Sequence, residues 1–232
     1  MIDDKPIVED QFDNIIKKND QGIYKFLNPG RRDRQIIRSL NNFGITGKRC
    51  MDIGSGTGRW LQYFKRNNPK FLAGMDISQE AINRANKLCN KTQKINLESD
   101  SFDFPDNFFD IIISHGVMDH LRDPSNYLME IKRVSKKNSL IQISVENFVS
   151  LLSRIRMVFG MFPRAISLDP THVGWYRKKE VIHLLQKFEL KPVFLPTSIS
   201  LNPTPIASRL RIPSNKLISR FEDQLLFTVE RK

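Results

Sequence analysis

Three aspartates and a run of glycines carry the chemistry most visible in this chain. Asp52 sits just before Gly54, Gly56 and Gly58 in "CMDIGSGTGRW", an apolar run that passes into a glycine-rich turn and then a helix. Glycines there let the backbone turn sharply and approach a ligand with no Cβ in the way. Such turns hold nucleotide cofactors, and the residues around them decide which one. A nucleoside triphosphate site needs a Lys followed by Ser or Thr after the last glycine, so that an ammonium reaches the phosphates. Here Gly58 is followed by Arg59 and Trp60. A dinucleotide fingerprint would put its third glycine where Arg59 stands. A carboxylate beside the turn also suits a ligand with an ammonium or other positive centre better than a pyrophosphate.

Asp76 closes the segment "GMDIS", and Asp100 lies in "ESDSFDFPDNFFD". Both are expected at carboxyl ends of strands, where ligands sit in open α/β sheets. An aspartate in that place can accept hydrogen bonds from two ribose hydroxyls. Its competing role is to cap the next helix, for which Ser78 is already a candidate. Asp52, Asp76 and Asp100 are thus expected to face one crevice.

Periodicity supplies the elements that must position these groups. Apolar runs predict strands at residues 49–53, 71–76, 94–98, 109–114 and 139–145. Helical stretches are predicted between several of them, at 58–67, 79–90 and 125–134. An earlier helix, 31–43, carries Ile36, Ile37, Leu40 and Phe43 at helical spacing and stops at Gly44. Strand alternating with helix implies right-handed crossovers and a mostly parallel sheet with helices on both faces. The run "FDIII" from Phe109 has no polar alternation, as expected of a strand buried on both sides. After Val145 the rhythm breaks into an insertion at about 146–172, before a helix at 178–188. Strands at 192–195 and 225–230 would complete the sheet, with a proline-bearing loop between them.

Composition bounds the rest. The chain has 232 residues, 40% of them hydrophobic and 27% charged, as in ordinary globular proteins. "MIDDKPIVED" carries no secretory pattern, and no apolar run approaches a membrane span. Cys50 and Cys89 show neither metal-ligand nor redox spacing, so reduced cysteines in the cytoplasm and no metal site are expected. The net charge of +12 favours an anionic contact: RNA, a membrane surface or an acidic substrate. Its basic residues are scattered in short clusters such as "RRDR" at Arg31 and "RKK" at Arg177.

The motifs "DIGSGTG", "GMDIS", "SDSFDFPDNFFDIIIS", "DHLRDP" and "HVGWYRKKEVIHLL" occur in that order over about residues 45–195. This constellation resembles the class I S-adenosylmethionine-dependent methyltransferases, and within them the type 11, small-molecule branch. The resemblance implies a Rossmann-like, doubly wound sheet of seven strands, the last antiparallel. It divides the chain into an N-terminal helical segment, 1–44, which helps cover substrate and cofactor, and a methyltransferase domain, 45–232. It implies S-adenosyl-L-methionine as cofactor. Gly54, Ser55 and Gly56, in the turn that Gly58 completes, would line its methionine part, and Asp52 would orient the ammonium. Asp76 would bind the ribose hydroxyls, Ile77 would pack beside the adenine, and Asp100 would accept from the adenine amino group. Ser101 and Phe102 would complete that pocket. Ser114, His115 and Gly116 would lie under the sulfonium.

Methyl transfer from a sulfonium is an in-line displacement with an excellent leaving group, so positioning can supply much of the rate. A base is needed only where the acceptor must lose a proton early, as a hydroxyl does. Candidates are His115, Asp119, His120 and His172, with His115 best placed. Asp119 could instead start a helix, His120 could cap or pack, and His183 belongs to a helix face. The segment after the fourth strand, "SHGV", lacks the Pro-Pro-aromatic pattern of enzymes that methylate adenine or glutamine amino groups. The expected acceptor is therefore a small or lipid-like molecule, methylated at oxygen or carbon. Tyr24, Trp175 and Tyr176 are candidates to line its pocket. RNA is the rival acceptor, less favoured because no separate nucleic-acid-binding module is visible. A non-catalytic protein on the same fold is the other rival. In the insertion, Leu151, Leu152, Ile155, Phe159 and Phe162 share a helical face near Arg154, Arg156 and Arg164. That face is expected to meet the core; its alternatives are a lid over the acceptor or contact with an anionic membrane surface.

Overall fold

Strands form where apolar runs can be covered on both sides, and helices form where apolar residues recur on one face. In the computed structural model, which describes residues 5–18, 31–163, 166, 171–195 and 224–231, seven strands make one sheet. They are β1 (Arg49–Ile53), β2 (Phe71–Asp76), β3 (Lys91–Lys94), β4 (Phe109–His115), β5 (Ser135–Glu146), β6 (Leu190–Leu195) and β7 (Gln224–Arg231). Their order is β3-β2-β1-β4-β5-β7-β6. β1 pairs in parallel with both β2 and β4, and β7 runs antiparallel between β5 and β6. The seven strands and the reversed last strand agree with expectation. The order reverses between β1 and β4, and the crevice at such a switch point is where ligands bind in open α/β sheets.

The described helices are α1 (Lys5–Lys18), α2 (Arg31–Phe43), α3 (Arg59–Arg66), α4 (Gln79–Ala85), α5 (Ser125–Val134), α6 (Leu151–Val158) and α7 (Lys178–Lys187). Side chains alternate across a strand, so neighbouring residues feed opposite cores. Cys50, Leu72, Ile111 and Ile113 meet Ile36 and Leu40 of α2 and Trp60, Leu61 and Phe64 of α3. Met51, Ile53, Met75 and Ile112 meet Tyr127, Leu128 and Ile131 of α5 and Val181 and Leu185 of α7. Cys50 is buried and Cys89 half-buried, and burial pushes each thiol up to about 12, so neither is a nucleophile at neutral pH.

Three expectations change. The third strand lies at Lys91–Lys94, not 94–98. Its sequence, "KTQK", is polar because an edge strand is held by its backbone ladder to Ala73–Asp76; Ile95 and Leu97 are buried from the loop that follows. The helix after Ser78 ends at Ala85, and Asn86 to Cys89 continue as turns. The predicted apolar face of α6 is not buried in the core: Leu151 and Leu152 are half-buried, and Ile155, Phe159 and Phe162 are exposed, as is Val158. No described helix is long and apolar enough to cross a membrane. Tyr24, Arg164 and the loop 196–213 lie outside the described residues.

Candidate active site

The turn from β1 to α3 is shaped by backbone that other residues resist. Gly54 has φ of 71°, and a Cβ there would lie 2.3 Å from Val117 Cγ2. The Gly54 and Ser55 N–H groups both donate to the Met75 carbonyl, at 2.8 and 3.0 Å, which folds the turn over the end of β2. Gly56, at φ 49°, then donates its N–H to Asp76 Oδ2 at 2.8 Å. The glycine loop and the β2 carboxylate are thereby one unit.

Asp52 is only 2% exposed, and its Oδ2 has no hydrogen-bond partner among the described residues. Burial pushes its pKa well above the ordinary carboxylate range, and the neighbouring charge of Asp76 adds to the effect. Burial also raises the pKa of Asp76, while N–H groups of Ser78, Gly56 and Ile77 hold it back. Asp76 Oδ1 accepts from Ser78 N at 2.9 Å. A carboxylate has about four acceptor positions, so each Asp76 oxygen retains capacity for a hydroxyl. The cap of α4 is Ser78, whose Oγ accepts from Ala81 N at 3.1 Å.

Asp100 closes a turn after β3: its Oδ2 accepts from Asn96 N at 2.9 Å and its Oδ1 from Ser99 Oγ at 2.7 Å. Ser101 is exposed, and its carbonyl accepts from Gln93 Nε2 at 2.9 Å. Phe102 is buried in the core under α5, its N–H donating to Glu130 Oε2 at 2.6 Å. Ile77 is half-buried directly after β2.

Across the switch point, Ser114 pairs in register with Ile53, and both are buried. His115 follows at the end of β4, its ring 5.3 Å from Trp60 in an edge contact. Neither ring nitrogen has a hydrogen-bond partner among the described residues, and both are sealed from solvent. Burial and the positive charges of Arg32 and Arg59 hold its pKa well below 6.5, so the imidazole is neutral at pH 7.

The other three candidates form a separate group. Asp119 is buried, and both its carboxylate oxygens accept from Glu146 N at 3.1 Å. Its carbonyl accepts from the N–H groups of Val173 and Gly174, at 2.9 and 2.8 Å. It thus fastens the 3-10 turn Met118–His120 to the end of β5 and to the segment before α7. His120 Nδ1 lies 3.0 Å from Thr171 Oγ1, and its ring is 4.7 Å from that of His172 and 5.0 Å from that of Phe12.

Sequence reasoning missed the residues that surround His115. Arg59 pairs with Asp33 of α2, and Arg32 donates to Gln224 Oε1, whose amide donates in turn to Glu146. "RRDR" read only as a basic cluster, and Arg59 only as a residue foreign to a P-loop. Phe12 and Asp13 of α1 were missed as well. Asp13 accepts from Ser78 Oγ and, at 3.2 Å, from Glu80 N, which docks α1 beside Asp76. The local signal was a polar segment; the docking is tertiary.

Asp52 Oδ2 and Ser55 Oγ are buried polar atoms with no partner among the described residues, in the same turn as Gly56, whose N–H binds Asp76. That donor-hungry arrangement fits a ligand with an ammonium at one end and a ribose at the other. No group of three or more potential metal ligands occurs among the described residues.

A family model described as a methyltransferase domain matches residues 30–194. An uncharacterized methyltransferase of Schizosaccharomyces pombe is 31% identical over 105 residues, 40% of this chain and 38% of that one. A phosphatidylethanolamine N-methyltransferase of Cereibacter sphaeroides is 23% identical over 148 residues, 60% of this chain and 68% of that protein. Magnesium protoporphyrin IX methyltransferase of Synechocystis, solved with bound SAH, shares the fold with a TM-score of 0.65 at 15% identity, over 99% of this chain and 100% of that one. This chain thus spans less than half the length of the S. pombe relative.

Proposed function

This chain belongs to the methyltransferase-domain family, and we propose that the protein transfers a methyl group from S-adenosyl-L-methionine to a small-molecule or lipid-like acceptor, at oxygen or carbon. The observation that carries the reading is the buried, partner-seeking carboxylate of Asp52 beside the glycine turn, next to the half-used carboxylate of Asp76. S-adenosyl-L-methionine would supply a methyl on a sulfonium sulfur, with a neutral thioether as the leaving group. The chain's part is to hold and orient. Asp76 accepts from two ribose hydroxyls, Asp52 takes the amino-acid ammonium, and Ile77 covers one face of the base. Asp100 accepts from the adenine amino group, with Ser101 beside it. Phe102 supports that wall from the core. Ser114 and His115 end the strand facing the methyl.

Where the acceptor is a hydroxyl, His115 would be the residue placed to take its proton. A neutral imidazole has one unprotonated ring nitrogen that can accept it, and neither nitrogen of His115 has a partner among the described residues. Asp119 acts as a brace, since both its oxygens already hold Glu146 N. His120 and His172, whose rings meet at a tilt, with Phe12 of α1 against His120, fit a wall of the acceptor pocket better than a base. The likeness to a phospholipid-modifying relative supports the lipid-like end of the acceptor range. The net charge of +12 supports RNA as a second reading, and salt-sensitive methylation of bulk RNA would select it.

Calorimetric titration of S-adenosylmethionine and its demethylated product into wild type and Asp76→Ala tests the proposal. Micromolar binding by the wild type is expected. In the variant it should weaken by about 100-fold, the worth of two hydrogen bonds to a charged group. A wild type that binds NAD and neither of these ligands would overturn the reading.

A further inference from the structure

The apolar face of α6 is built to be displayed. Val158, Phe159 and Phe162 are 82%, 72% and 70% exposed, and Ile155, Met157 and Met161 are exposed beside them. Single exposed apolar residues are ordinary, but a contiguous patch of this kind marks an interaction surface. It is not a frayed end. Ser150 caps the helix through Ser153 N, at 3.2 Å. At the other end Gly160, at φ 69°, donates to the Met157 carbonyl at 3.0 Å, and Met161 N–H donates to the Arg156 carbonyl at 2.9 Å. This pair of bonds is the Schellman stop. Arg156 Nε also donates to the Phe162 carbonyl at 2.9 Å. The turn therefore holds Phe159, Met161 and Phe162 outward through its own hydrogen bonds.

We propose that α6 and its C-terminal turn insert into the surface of an anionic lipid bilayer and set the carboxyl edge of the sheet against it. The partner follows from charge. Residues 147–163 include Arg154 and Arg156 and no acidic residue, in a chain of net charge +12. Arg154 is exposed beside the apolar stripe. An apolar face flanked by arginines matches acyl chains beneath anionic headgroups. A second copy of this chain matches it poorly, because an isologous contact would bring two equally basic faces together. Position ties the patch to the crevice. α6 begins just past the end of β5, and Phe148 packs 5.1 Å from Trp175, next to Gly174, which donates to the Asp119 carbonyl. The inference rests on the methyltransferase reading only in saying where the acceptor is met.

Flotation of the full chain tests it, with vesicles of phosphatidylcholine alone or mixed with phosphatidylglycerol. The wild type should float with the anionic vesicles, and more weakly as salt rises. The double variant Phe159→Ser, Phe162→Ser should bind them about 100-fold less, from two lost aromatic insertions. Arg154→Glu should cut the preference for anionic over neutral vesicles roughly tenfold. Unchanged S-adenosylmethionine affinity in both variants shows that the fold is intact, and flotation reads the contact whether or not any acceptor turns over. A wild type that stays at the bottom with anionic vesicles overturns the proposal. So does a double variant that floats like the wild type, or a wild-type dimer that the double variant dissolves.

Discussion

Asp52 shows how one residue can serve a ligand at the expense of the empty protein. Its carboxyl is buried, lacks a partner for Oδ2 among the described residues, and has a pKa held well above 3.8 by burial and by Asp76. A carboxyl whose folded pKa exceeds its unfolded value binds its proton more tightly in the folded state. Folding therefore loses stability as pH rises past 3.8 and keeps losing it until the folded pKa is reached. Asp52→Asn removes that buried charge. Without cofactor, the variant should melt a few degrees higher than the wild type at pH 7, with the gap narrowing toward pH 4. Its affinity for S-adenosylmethionine should fall. Thermal unfolding at several pH values, beside calorimetry, checks both halves. A variant less stable at pH 7 would mean that the carboxylate is satisfied in the empty protein. His115 carries the opposite shift, and its burial among Arg32, Arg59 and Trp60 is what keeps it neutral.

At the scale of elements, the glycine turn joins β1, β2 and the 3-10 turn after β4. Two N–H groups grip the Met75 carbonyl and a third grips Asp76, while Val117 fills the place of the Cβ that Gly54 lacks. Gly54→Ala must carry a methyl at φ 71° into Val117 Cγ2, 2.3 Å away. The change should cost at least ~2 kcal/mol of stability, from the left-handed backbone and the overlap together. Cofactor affinity should fall tenfold or more, since the turn is the binding surface. Urea unfolding and calorimetry measure the two effects. α1 depends on contacts of another kind: Asp13 and Phe12 reach Ser78, Glu80 and His120, each far away in sequence.

In the whole molecule, the crevice exists because strand order reverses between β1 and β4, with α2 and α3 on one face and α5 and α7 on the other. A ligand held there touches both halves of the sheet and should stabilise the fold as a unit. At a hundred times its Kd, S-adenosylmethionine should add about 2.7 kcal/mol, which raises Tm by roughly 5–10 °C for a chain of this size. Differential scanning fluorimetry reads the shift, and no shift at that concentration would mean that the folded chain does not bind the ligand. By itself, the sequence determined what short-range chemistry encodes. The glycines and Asp52 of the turn, the Gly44 stop of α2, the Ser78 cap and the buried runs of β1, β2 and β4 were legible because each depends on neighbours a few residues away. β3 was misplaced because an edge strand is held by backbone ladder bonds, and the apolar residues beside it, Ile95 and Leu97, serve the core from a loop. Only the tertiary structure decided that Arg32, Arg59 and Trp60 surround His115, that Asp119 is spent on Glu146 N, and that the apolar face of α6 looks outward. Those outcomes turn on which groups meet across long stretches of chain, and no local spacing records that.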